Sequence, residues 1–331
     1  MADLIRLAAP ALETQVPLAR PVHTALVSWN AHAPRGRIAL GASFADGSRS
    51  TWLPFVSWSE AERRSLGGSD GGFELAIDIA RSARPLVALN VRSDVALDAL
   101  WIASRDDARS HEVGLRKATL HEPTLRESTL HGAAPHEATP HEAAWQPSDA
   151  ESDDALDLEV PALSQYLAEL PGDRGLCSPA SLAMLLGFWG SPLGVADVAA
   201  GVRDASFGGT GNWAFNAAFA GALGFAAATA YLHGLAHARR FLEVGIPLAL
   251  SLAWNEDELP GAPLPVSAGH LVVLRGFNGN GSVLVNDPAQ PRVRVTYAAE
   301  AFERAWLGHG GVAYLVAPRA RALDMLALAN E

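Results

Sequence analysis

The sequence predicts an α+β protein in which an all-β sandwich precedes a second domain of helices followed by strands. Three observations predict it. Residues 1–110 carry short strand-like runs between turn signals, residues 111–157 are a low-complexity repeat, and residues 158–320 pass from apolar helical segments into apolar strands. A chain of 331 residues, 49% hydrophobic and 18% charged, is long enough to build two cores.

In the first domain the runs 24–29, 37–44, 50–58, 73–79, 85–91 and 97–103 read as strands, several alternating apolar with polar. Pro34-Arg-Gly, Asp46-Gly and Gly67-Gly-Ser-Asp-Gly-Gly punctuate them. Trp29, Trp52, Trp58 and Trp101 are expected in the core or on a sheet face, since Trp buries so much area; a glycan- or protein-binding groove is the alternative use. Residues 114–143 fall into five-residue steps such as Thr119-Leu-His-Glu-Pro and Thr139-Pro-His-Glu-Ala. Five is neither a helical nor a strand period, and so polar a segment lacks the apolar surface to fold, so a disordered linker is expected. Loose metal binding by His121, His131, His136 and His141, as in His-rich tracts, is the lesser alternative.

In the second domain helices are expected after Cys177, over 213–223 and over 235–244, where Gly245-Ile-Pro stops the last. Strands follow at 248–254, 270–277, 282–287 and 312–317, with Asn278-Gly-Asn-Gly as a hairpin turn. The formal net charge of −11 argues against general nucleic-acid or anionic-membrane binding. The Ala-rich stretch 217–231 is interrupted by Gly and too short to span a bilayer. No basic region followed by an apolar stretch opens the given sequence, so no signal peptide is visible and a cytoplasmic protein is expected, with a secreted or periplasmic one as the alternative.

The chemistry starts from Cys177, the only cysteine. A thiol where a loop enters a helix meets unpaired N–H groups and the positive end of the helix dipole, both favouring thiolate. A thiolate nucleophile needs a base, and the base an orienting partner. His270 opens a strand, and Asp287 ends the strand expected to lie antiparallel beside it. That places imidazole and carboxylate at the same end of the sheet. Asn286 is the rival orienter; strand alternation lets only one of the two face His270, and Asp287 is chosen. Trp213 and Asn216 share a helix face and are candidates for a substrate-cleft wall or for packing. Trp254 and Trp306 carry the same two uses, and His233, His237 and His309 have no metal-ligand spacing.

Residues 158–318 resemble the bacteriocin-processing-type (double-glycine-leader) cysteine peptidases of the papain-like superfamily. The resemblance is carried by Val160-Pro-Ala-Leu-Ser-Gln, Cys177-Ser-Pro-Ala-Ser-Leu-Ala-Met-Leu-Leu, Phe188-Trp-Gly, Gly211-Asn-Trp-Ala-Phe-Asn, Gly269-His-Leu-Val-Val-Leu-Arg-Gly-Phe and Val285-Asn-Asp-Pro-Ala. It implies a papain-like fold, Cys177 as nucleophile, His270 as general base and acid, and Asp287 as orienter. It also implies that Gln165 and the Cys177 N–H bind the oxyanion. Members usually carry Gly after the cysteine, where this chain has Ser178, here expected near the substrate; a positive φ there would strain it. The implied activity is thiol-dependent hydrolysis of a peptide or amide-linked substrate without cofactor or metal. Acyl transfer to an amine and a catalytically weak binding module are the alternatives.

Overall fold

The computed structural model describes residues 2–106, 155–167 and 175–331. The pentapeptide repeat and its histidines lie outside them. Nine antiparallel strands form the N-terminal sheet: β1 (Ala2–Ala8), β2 (Glu13–Asn30), β3 (Gly36–Phe44), β4 (Leu53–Trp58), β5 (Arg63–Ser65), β6 (Gly68–Asp70), β7 (Phe73–Ala76), β8 (Ile79–Ser93) and β9 (Ala99–Arg105). Their order is β1-β9-β2-β8-β3-β4-β5, with β7 on β8 and β6 on β7. Four stretches of this sheet were not expected as strands: β1, the first half of β2, β5, and β6, which falls in the expected 67–72 turn. In the first half of β2, Pro17 and Pro21 argue against a regular ladder; the pairing with β8 indeed slips at that point.

Both faces of β9 are covered, which explains its continuous apolar run. Leu100 and Ile102 join Val27, Trp29, Leu40 and Phe55 in the core of the N-terminal sheet. Ala99, Trp101 and Ala103 point the other way, into a larger core with Leu182, Leu186, Phe241 and Leu315 from the C-terminal half. Trp29 and Trp101 are thus core residues, while Trp52 and Trp58 are half-buried; Arg92 lies over the Trp52 ring.

The C-terminal sheet is also antiparallel: β10 (Leu156–Asp157), β11 (Phe225–Tyr231), β12 (Leu248–Trp254), β13 (Ser267–Asn278), β14 (Ser282–Asn286), β15 (Arg294–Ala298) and β16 (Val312–Pro318). They run β11-β16-β12-β13-β14-β15, with β10 on β13. Around them lie α1 (Cys177–Phe188), α2 (Val195–Val202), α3 (Trp213–Ala222), α4 (Leu235–Glu243), α5 (Ala299–Gly308) and α6 (Ala322–Ala329). The strict order of helices first and strands second is corrected. β11 falls between α3 and α4, and α5 between β15 and β16.

The Ala-rich stretch supplies the end of α3 and then β11. Its small side chains let the two halves approach closely, and Gly221 lies against Asn30, where a Cβ would come within 2.8 Å of the Asn30 Cα. Asn30 is buried between the halves. It donates to the Ala227 carbonyl at 2.9 Å and accepts from the Trp101 indole N–H at 3.0 Å. No helix among the described residues is long and apolar enough to cross a membrane.

Candidate active site

Cys177 is the first residue of α1, and the helix start explains its surroundings. No side chain caps this end, and Pro179 sits in the first turn, where its missing N–H costs nothing. The uncapped N–H of Ser178 is therefore available to the sulfur, and the N–H of Leu271 on β13 is a second donor to it. Cys177 keeps part of its surface accessible, whereas Leu176 and residues 178–186 are buried.

β13 delivers His270. Its partner strand β12 pairs Leu252 with His270 and then slips before Trp254, a bulge that re-aims side chains beside the site. The Trp254 ring stands edge-on to the imidazole, 5.7 Å between centroids at 85°, and its indole N–H is tied to the Leu264 carbonyl at 2.9 Å. His270 is 4% exposed, and its Nε2 lies 2.7 Å from Asp287 Oδ1. Nδ1 is thereby the nitrogen left for Cys177, which bonds to the ring.

Asp287 follows β14 and is buried with both carboxylate oxygens hydrogen-bonded. Oδ1 also accepts the Ala289 N–H at 3.0 Å, and Oδ2 accepts the Tyr297 hydroxyl at 2.7 Å. Gln290 Nε2 donates to the Tyr297 oxygen at 3.1 Å. Asn286 points elsewhere, donating to the Val160 and Pro161 carbonyls at 3.2 and 3.0 Å. Of the two neighbours it is Asp287 that meets His270, and the β13–β14 hairpin is antiparallel through Asn278 and Ser282.

Burial alone pushes the Cys177 thiol up, but the hydrogen bond and charge of His270 and the two backbone N–H donors outweigh it, leaving the thiol below its ordinary value. Burial likewise pushes His270 down; bonds and charges from Asp287 and the Cys177 thiolate lift it to about 10. Burial would raise Asp287, yet His270, Tyr297 and the Ala289 N–H hold it below the usual carboxylate range. The three groups therefore favour a thiolate–imidazolium pair backed by a carboxylate.

Gln165 is 4% exposed, and its backbone N–H donates to the Pro288 carbonyl at 2.9 Å, so its loop runs beside Asp287 and Pro288. The other expected substrate contacts lie inward. Ser178 is 1% exposed, adopts helical backbone without positive φ, and its Oγ lies 2.9 Å from the Tyr314 hydroxyl. The expected strain of Ser in place of Gly does not arise, and the hydroxyl has a polar partner inside. Trp213 packs edge-on to the His309 ring at 6.3 Å. Asn216 is fully buried and donates to the Thr210 and Asn212 carbonyls at 2.9 and 2.8 Å. Both serve packing rather than a cleft wall. Tyr297 was missed; the alternation Val293-Arg-Val-Thr-Tyr297 was the available strand signal.

Residues 157–314 match the model of the Peptidase_C39 like family. Among solved structures, the chain is similar to a C39-like peptidase from Bacillus anthracis, at 23% identity over 50% of this chain and 99% of that one, TM-score 0.41. It is also similar to a double glycine motif protease from an AMS/PCAT transporter, solved with the leader peptide, at 24% identity over 49% and 94%, TM-score 0.34. Comparison with curated proteins gives no match.

Proposed function

We propose that this protein, whose residues 157–314 match the model of the Peptidase_C39 like family, is a cysteine peptidase that cleaves a peptide bond through a thioester on Cys177. The Cys177 thiolate attacks the carbonyl carbon; the C–N bond breaks as the His270 imidazolium gives its proton to the leaving amine. Neutral His270 then takes a proton from water, whose oxygen attacks the thioester and releases the acid and the thiolate. Asp287 keeps the ring oriented and stabilises its charge. The Cys177 N–H and the Gln165 side chain serve the oxyanion in this reading. A papain-like arrangement of residues 158–320, a sandwich for residues 1–110 and the linker between them belong to the same proposal.

The observation that carries it is the buried 2.7 Å bond between His270 Nε2 and Asp287 Oδ1, with the Cys177 thiol drawn below its ordinary value on the other side of the ring. The test is digestion of a peptide mixture by wild type and Cys177→Ala, read by mass spectrometry together with thiol-probe labelling. New peptide ends made by wild type and absent from the variant support the proposal. Cleavage that survives Cys177→Ala overturns it, and products joined to an added amine in place of water reassign the reaction to acyl transfer.

A further inference from the structure

We infer that Asp78, from the N-terminal sheet, is a positioning residue of the Cys177–His270 centre, acting through the amino end of α3 and the Trp213–His309 contact. This rests on the reading of Cys177 as a nucleophile. Asp78 is 2% exposed and sits in the turn between β7 and β8, whose last and first residues Ala76 and Ile79 pair directly. Ile77, the other turn residue, has φ +58°, in the left-handed region that favours glycine. A β-branched residue persists there only where surrounding contacts over-determine the backbone.

The contact is the α3 amino end. Asp78 Oδ2 accepts the Trp213 N–H at 2.9 Å, while the Asn212 side chain accepts from Ala214 and Phe215 at 3.0 and 3.3 Å. The first turn of α3 is thus capped jointly, its leading N–H by a carboxylate from another sheet, in the place where negative charge suits the helix dipole. Asn212 in turn donates to Asp204 Oδ2 at 2.9 Å, and Asp204 Oδ1 accepts the Ser65 N–H of β5 at 3.0 Å. The N-terminal sheet therefore grips this helix end from two sides.

From Asp78 one line runs to the centre. Trp213 packs on the His309 ring, and His309 Nε2 lies 3.7 Å from where a Cβ on Gly269, the residue before His270, would stand. The carboxylate touches neither sulfur nor imidazole, so it acts by fixing where the imidazole stands against the sulfur, a separation to which attack geometry is steeply sensitive.

The experiment measures the second-order rate of Cys177 alkylation by iodoacetamide at about pH 6.5, below the ordinary thiol range, with a thermal melt for each full-length variant. Asp78→Ala lowers the rate about ten-fold. Asp78→Asn, whose amide oxygen still accepts the Trp213 N–H, keeps it within about two-fold. Asn30→Ala breaks comparable contacts between the two halves away from the centre; it lowers the melting temperature and leaves the rate unchanged. Should Asp78→Ala fail to fold, Trp213→Leu, which removes the ring that packs on His309, carries the test, with a fall of about five-fold. Unchanged rates in folded Asp78→Ala or Trp213→Leu overturn the inference. So does a loss in Asn30→Ala or Asp78→Asn equal to that in Asp78→Ala. A wild-type rate no faster than that of free cysteine is a different failure: it sinks the nucleophile reading on which this one rests.

Discussion

Replacing Asp287 by Asn removes one charge from a buried site while leaving an oxygen that still accepts a hydrogen bond from His270 Nε2. The rise of His270 from 6.5 to about 10 represents on the order of 5 kcal/mol of preference for the protonated ring. Burial opposes that rise, so Asp287 and the Cys177 thiolate together supply more than this. The Asp287 hydrogen bond is the largest of the raising contributions, and its charge adds to it. Asp287→Asn keeps the bond and loses the charge, so the ring is expected to titrate at least about one pH unit lower. Histidine-selective 13C NMR of the full chain, titrated between about pH 5 and 11 to bracket both values, reads this without any substrate. The His270 signal is assigned by its loss in His270→Ala. With a weaker imidazolium beside it, the Cys177 thiol rises, and iodoacetamide alkylation at about pH 6 slows by about ten-fold. A His270 titration unmoved by Asp287→Asn refutes the claim that this carboxylate sets the charge of the ring.

The same pair predicts a pattern in stability against pH. His270 is raised above 6.5, so its contribution is full below that value and is lost as pH rises through about 10. Cys177 is lowered below 9.0, so its contribution is present above 9.0 and is lost as pH falls through the lowered value. Where the two ranges overlap the opposing slopes cancel, because the proton leaves sulfur for imidazole and stays on the protein. The difference in urea midpoint between wild type and Cys177→Ala should therefore grow as pH rises from 6.5 toward 9.0; a constant difference contradicts the pairing. At Gly276 a Cβ would come within 2.1 Å of the Leu156 carbonyl oxygen and 2.9 Å of the Asp157 Cα. Gly276→Ala should push β10 off β13 at a cost of about 1–3 kcal/mol in urea unfolding, and an unchanged midpoint would mean that β10 is not held there.

Much of the centre was legible in the chain because local rules determine it. A loop entering an apolar helix puts Cys177 at an uncapped helix end, and a four-residue turn signal between two apolar runs makes His270 and Asp287 neighbours across a hairpin. Period-two alternation then allows only one of Asn286 and Asp287 to face His270, without telling which. What stayed hidden depends on packing between distant segments. Ser178, Trp213 and Asn216 look like polar or aromatic groups available to a ligand, and only the closure of Tyr314, His309 and the 210–212 turn around them turns them inward. Tyr297 and β15 were missed although Val293-Arg-Val-Thr-Tyr297 alternates, because so short a run offers few repeats of the period. The proline-bearing start of β2 failed for the opposite reason, since a long bent strand tolerates two prolines where its ladder slips.

Trp101, Leu26 and Ala103 lend one face of the N-terminal sheet to the hydrophobic interior that supports α1 and β16. The edge of the family match at residue 157 therefore runs through one shared hydrophobic interior. Heat should melt the two halves in one calorimetric event, and a fragment trimmed to the matching segment would leave an oily scar where that tryptophan had been.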